Sequence, residues 1–96
     1  MAKILLRPLA KTDIKKIWHY TFDKWGLKQA DIYTNELGKS IDSLMKNPEI
    51  GRPIDLICSD YRLYHFKHHL IIYRRVLPII EVVRVLGENM DIKTHL

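Results

Sequence analysis

The residues best equipped for chemistry crowd into the second half of the chain. His65, His68 and His69 stand close together, and arginines at 62, 74, 75 and 84 alternate with tyrosines at 61, 64 and 73. Clustered histidines first suggest a metal. A zinc site needs convergent nitrogen, sulfur or oxygen ligands. Only His65 and His69 share strand parity, a turn is predicted between them, and no carboxylate or thiol stands at ligand spacing, so no metal is expected. Cys58 is the only cysteine, which excludes an internal disulfide. It reads as a bland structural thiol, because a nucleophile needs a positioned base beside it. The sequence has no phosphate-binding glycine loop, dinucleotide fingerprint, G-x-S-x-G or H-E-x-x-H, and no cofactor is expected. General acid–base catalysis needs a histidine or carboxylate that reaches the substrate with a tuned pKa. Here His69 lies at the edge of the basic set, and only Glu88, Asp91 and His95 could fold over it from the tail. Catalysis is poorly furnished, and the expectation leans away from an enzyme.

The arginines and tyrosines need a scaffold of modest size. The chain has 96 residues, one domain's worth, and such a chain buries only about 60–65% of its unfolded surface. One core fits, with little room for a deep cleft. The apolar fraction of 47% is ordinary. No apolar run approaches a membrane span, and "MAKILLRPLAK" has too short an apolar stretch for a secretory signal. No membrane association and a cytoplasmic location are expected. Sixteen Lys and Arg against eleven acids give a net charge of +5. That balance favours an acidic partner, either nucleic acid or an acidic protein.

The elements follow from periodicity. "KILLR" at 3–7 reads as a short strand ended by Pro8. Ile14, Ile17, Trp18, Thr21, Phe22 and Trp25 line one helix face, and Gly26 suits a helix C-terminus. Ala30, Tyr33, Leu37, Ile41 and Leu44 form the stripe of a second helix over 28–46, stopped by Asn47-Pro48. So short a join makes the helices antiparallel neighbours. Gly38 weakens the second helix by about 1 kcal/mol relative to alanine, and is expected to allow close helix approach. The segment 47–60 reads as loop. The period then becomes two, with strands at 61–67, 69–76 and 79–86 and turns near Lys67-His68 and Leu77-Pro78. The fold class is α+β, in the order β-α-α-β-β-β, with the helical hairpin packed on one face of a mostly antiparallel four-stranded sheet.

Two-residue turns without a bulge divide the strands into two faces. Tyr61, Leu63, His65, Leu70, Ile72, Arg74, Val76, Ile79, Glu81, Val83 and Val85 form the more aliphatic face, expected beneath the helices, with Arg74 opposite Glu81. Arg62, Tyr64, Phe66, His69, Ile71, Tyr73, Arg75, Ile80, Val82, Arg84 and Leu86 form the other, a basic and aromatic face suited to planar or anionic targets. Arg84→Ala is expected to leave the fold intact.

Read as a whole, the chain resembles the ParE toxins of the RelE/ParE superfamily, the toxin halves of bacterial type II toxin–antitoxin pairs. The resemblance covers nearly the full length. It rests on "KTDIKKIWHYTFDKWGLKQADIYTNEL", "NPEIGRP", "YRLYHFKHHLIIYRR" and "RVLGENMDIKTHL", taken in order. It implies the same β-α-α-β-β-β fold, a cognate ParD-like antitoxin as partner, and a role in plasmid or chromosome maintenance. Several such toxins poison DNA gyrase, whereas RelE-like relatives cut mRNA on the ribosome. The tail "MDIKTHL" is of the ParE type, so inhibition of gyrase by protein contact is expected, with a ribosome-dependent mRNA endoribonuclease as the alternative. Direct nucleic-acid binding stays open. Many ParE-like chains carry histidine after "RVL", where this one has Gly87, which removes one candidate acid–base group. Resemblance and basic face together nominate Arg62, Tyr64, Tyr73, Arg75, Arg84, Met90 and Asp91 for target binding. The helical hairpin nominates Trp18, Phe22, Trp25, Tyr33 and Leu37 for antitoxin binding.

Overall fold

Pro8 ends one element and starts the next. The computed structural model describes residues 3–76 and 78–96; Leu77, assigned from sequence to a hairpin turn, lies outside the described residues. Strand β1 (Lys3–Leu6) gives way to helix α1 (Pro8–Trp25), whose first position is the proline. There the missing N–H costs no helical bond and the fixed φ is already helical. Gly26 has φ 90°, a conformation that glycine adopts freely. It reverses the chain in one residue, and helix α2 (Leu27–Lys46) begins at once. The chain then forms β2 (Arg52–Pro53), β3 (Tyr61–Phe66), β4 (His69–Val76), β5 (Ile79–Gly87) and a short helix α3 (Ile92–His95).

The sheet order is β1-β5-β4-β3-β2. β3, β4 and β5 form the expected antiparallel meander, and the expected turn at Lys67-His68 brings Phe66 opposite His69. β1 runs parallel to β5 along the edge. The sheet has five strands rather than four. The additional one, Arg52 and Pro53 against Leu63 and Arg62, is too short to show a period and lies in the segment read as loop.

Register holds as expected from Val76↔Ile79 through Arg74↔Glu81 to Tyr73↔Val82, then shifts, and Ile72 pairs with Arg84. Val83 is the extra residue of a β-bulge, so Val83 and Arg84 fall successively on one side.

The face assignment from sequence is reversed up to Val83, while beyond the bulge Arg84, Val85 and Leu86 lie on the sides expected of them. The helices cover Phe66, Ile71, Tyr73, Ile80, Val82 and Val85, with Tyr64 packed alongside, and these meet Ala10, Ile17, Leu37, Ile41 and Leu44. Leu63, Leu70, Ile72, Val83 and Leu86 face the opposite way, where Ile54 from the 54–60 loop and Ile92 from α3 cover them. Both faces are therefore buried, which is why β4 is buried continuously from Leu70 to Tyr73. Aliphatic content could not tell them apart. Aromatic rings serve as core once their polar tips find partners, and Tyr73 does so. Its hydroxyl donates to the Pro48 carbonyl (2.8 Å) and accepts the Gly51 N–H (2.9 Å). A Cβ at Gly51 would stand 2.6 Å from that hydroxyl, so glycine is required there. At Gly38 the opposite holds. A Cβ would meet nothing within 4 Å, so this glycine does not serve close helix approach.

Candidate protein-binding site

Arg84, the charge inside the last apolar strand, is held rather than presented. β1 covers β5 only as far as Val82, where the Arg7 N–H reaches the Val82 carbonyl. Beyond that point Asp13 of α1 takes over the strand edge. Its Oδ2 accepts the Val85 N–H (3.0 Å) and Arg84 Nε (2.7 Å), while Oδ1 accepts Arg84 Nη2 (2.9 Å). Arg84 Nη1 donates to the His95 carbonyl at 3.0 Å, tying down the tail. The side chains are 14% and 9% exposed. Hydrogen bonding to Asp13 raises the guanidinium pKa against the opposing effect of burial. Arg84 thus does not lie on a face free of carboxylates, as sequence reading expected. Asp13 was overlooked, although its spacing from Ala10 and Ile17 places it on the buried stripe of α1.

A second charge cluster lies on the tail side. Glu81 Oε1 accepts from Arg7 Nη2 (2.8 Å) and Arg74 Nε (2.7 Å). These bonds, Arg7's first, hold the Glu81 carboxyl below the ordinary carboxylate value, opposed by partial burial. Arg62 Nη1 donates to the Gly51 carbonyl at 2.6 Å and so fastens the chain before β2. Arg75 is the most available of the nominated arginines. Its side chain is 45% exposed, with Glu49 at 3.9 Å.

The remaining nominees scatter. Tyr73 is fully buried and cannot reach a target, and Tyr64 is half-buried against the helix-side core. Met90 is partly exposed, and its sulfur accepts the Gly87 N–H. Asp91 caps α3 by accepting the Lys93 N–H. Of the hairpin residues, Leu37 is fully buried and cannot touch a partner, whereas Phe22 and Trp25 are exposed. Trp18 stacks on Phe22 and donates to Asp31.

Tyr33 brings the helices to the β3–β4 turn. Its hydroxyl and His69 Nδ1 share a hydrogen bond of 2.7 Å. Burial, reinforced by His68, lowers the His69 pKa. His65 and His68 both reach Glu88 (3.0 and 3.2 Å), and bonds to His68 and His65 hold its carboxyl below the usual range. Around them opens a groove of about 760 Å³, lined in part by Tyr20, Trp25, Tyr33, His68, Glu88 and Met90. Among the described residues no group of three or more metal-ligating side chains is placed to hold a metal, and no helix is long and apolar enough to cross a membrane.

A helical hairpin over a five-stranded sheet, with Tyr20, Phe22 and Trp25 left exposed on α1, defines a small α+β protein. The solved "Chromosomal ParDE TA system from P. aeruginosa" shares this fold, with a TM-score of 0.80 over 91% of this chain and 96% of that one, at 16% identity. A family model described as "ParE toxin of type II toxin-antitoxin system, parDE" matches residues 4–92. Toxin ParE1 of Mycobacterium tuberculosis is 40% identical over 96 residues, covering 99% of this chain and 98% of that protein. Toxin ParE1 of Caulobacter vibrioides is 34% identical over 87 residues, covering 91% and 90%. The chain belongs to the ParE toxin family of type II toxin–antitoxin systems.

Proposed function

We propose that this ParE toxin acts in the cytoplasm by binding DNA gyrase through protein contacts, and that a ParD-like antitoxin neutralises it. The observation that carries the reading is the state of the two carboxylates hydrogen-bonded to arginine, Asp13 and Glu81. Asp13 and Glu81 are each locked to guanidinium groups, and Glu81 is held below its ordinary pKa. Glu81, so stabilised, is a weak base, whereas strand scission needs proton transfer. Contact inhibition needs only a complementary surface. The antitoxin would use the groove beside Tyr20, Trp25 and Met90 and the outer edge of β1. A helix can lie in such a groove and a strand can extend such an edge.

Purified protein should inhibit gyrase supercoiling, with no new 3′ ends on translated messages by primer extension after induction. Codon-specific 3′ ends with unaffected gyrase would reverse the assignment. That second reading, ribosome-dependent cleavage of mRNA, has its own support. His69 is kept neutral by burial and is bonded to Tyr33 in the same groove as His68 and Glu88, which is acid–base equipment. For the antitoxin, co-expression with the neighbouring reading frame should give a complex whose association slows as salt rises, as expected for a toxin of charge +5. Trp25→Ala should weaken that complex by tenfold or more, in the manner of a buried aromatic anchor.

A further inference from the structure

Among the described residues, Leu56 is the most exposed of the large hydrophobic side chains, at 103% relative accessibility. A leucine fully in water is unremarkable on a mobile loop, but this loop is tied. The Ile54 N–H donates to the Tyr61 carbonyl, and the Ile54 carbonyl accepts the N–H groups of both Ile57 and Cys58 at 2.8 and 2.9 Å. Asp55 Oδ1 accepts the Asp60 N–H at 3.0 Å, and Asp60 itself takes φ 68° to close the turn. Ile54 plugs the base of the loop into the tail-side core. The fold thus fixes Leu56 outward in one place, with half-exposed Ile57 beside it.

The surroundings set the chemistry of what it meets. Next to the loop lies a hollow of about 400 Å³ in which Arg62, Arg74 and Arg75 outnumber Asp55 and Asp60. Arg62 spends Nη1 on backbone carbonyls and Arg74 spends Nε on Glu81, while Arg75 has only Glu49 at 3.9 Å. The Arg74 and Arg75 side chains, 37% and 45% exposed, therefore stand beside a preorganised apolar knob. Rigid apolar anchors flanked by arginine are what protein interfaces concentrate their energy in. Preorganisation reduces the ordering cost of docking.

We propose that the Leu56 loop and the Arg62–Arg75 hollow form the surface by which this toxin docks on its target, an acidic folded protein with an apolar socket beside carboxylates. The inference rests on the contact-inhibitor reading and locates its contact. The loop joins the start of β3, whereas the groove assigned to the antitoxin surrounds the turn at the end of β3. The two surfaces can therefore be mutated separately.

Leu56→Asp, Leu56→Met and Arg75→Glu variants should be compared with wild type for growth arrest on induction, supercoiling inhibition, antitoxin capture and thermal melting. Leu56→Asp and Arg75→Glu should each weaken growth arrest and target inhibition by tenfold or more. Leu56→Met should retain both. Melting and antitoxin capture should not change in the Leu56 variants, since Leu56 packs on nothing, and antitoxin capture should not change in Arg75→Glu. Leu56→Asp toxin that inhibits gyrase and arrests growth like wild type overturns the docking surface and leaves the gyrase reading standing. Wild type that spares gyrase, together with Leu56→Asp that no longer arrests growth, overturns gyrase as the target and supports the surface.

Discussion

The two sides of the sheet are covered in different ways. On one side, two helices spanning Pro8–Trp25 and Leu27–Lys46 lay an apolar stripe over rings and branched chains. On the other, one tied loop and the four residues of α3 cover a smaller cluster. Around that thin cover stand the least exposed ion pairs among the described residues, Asp13 with Arg84 and Glu81 with Arg7 and Arg74. The helix side is closed by area. The tail side is closed by geometry and charge, where a short segment has too little area to hold itself down.

Truncation at the centre of the helix side should have the largest effect. Leu37 is fully buried in that core, and Leu37→Ala removes its contacts and leaves a cavity, at a cost of about 2–5 kcal/mol. Urea unfolding monitored by tryptophan fluorescence would measure it. A loss below about 1 kcal/mol, well under the range for buried leucines, would mean that the helices do not dominate closure.

Arg84→Ala should come next, at about 3 kcal/mol, because it strands the buried Asp13 carboxylate without its partner and frees the His95 carbonyl. The prediction replaces the expectation, drawn from alternation alone, that this change leaves the fold intact. Arg84→Lys keeps the charge but loses the fork and should fall between the two. Hydrogen exchange should show Thr94 and its neighbours opening first in Arg84→Ala. Unchanged protection of the tail would break the claim that charge holds this side.

How far the sequence discloses this arrangement depends on the range over which each feature is encoded. The helices, the meander and the turn at Lys67-His68 are legible because each repeats a short pattern over many residues. The two-residue β2 repeats nothing. The bulge at Val83 leaves the sequence looking like unbroken alternation, yet it places Arg84 beside Val83 on the tail side. Which face the helices cover is undecidable from composition, since Leu63, Leu70 and Ile72 look as core-like as Tyr64, Phe66 and Tyr73. Of the nominated site residues, Arg75, Phe22, Trp25, Met90 and Asp91 are exposed and so stay available to a partner. Tyr73 and Leu37 were lost because burial is a property of the assembled fold. Asp13 was partly legible, as an acid on an apolar stripe, but its partner lies 71 positions away.

Acid should separate the two sides most gently of all. On the helix side, burial and then His68 lower the His69 pKa from its ordinary 6.5, although Glu88 opposes them; Tyr33 bonds its ring and Lys67 lies beyond. Below about 6.5, unfolded His69 takes up a proton that the folded ring resists, so stability declines as pH falls through this window. On the tail side Glu81 is lowered from 4.5 by Arg7 and Arg74. Its contribution is fully present above 4.5 and is lost only as pH falls through the lower folded value. The contact between α2 and the β3–β4 turn should therefore loosen first, as pH falls below 6.5, while the Glu81 cluster holds until below 4.5. Following His69 ring and Arg74 Nε–H resonances by NMR from pH 7.5 to 3.5 would read the two events separately. His→Gln at position 69 should remove the upper step and leave the lower one. Loss of both together would mean that the two sides unfold as a single cooperative unit rather than by the separate devices described.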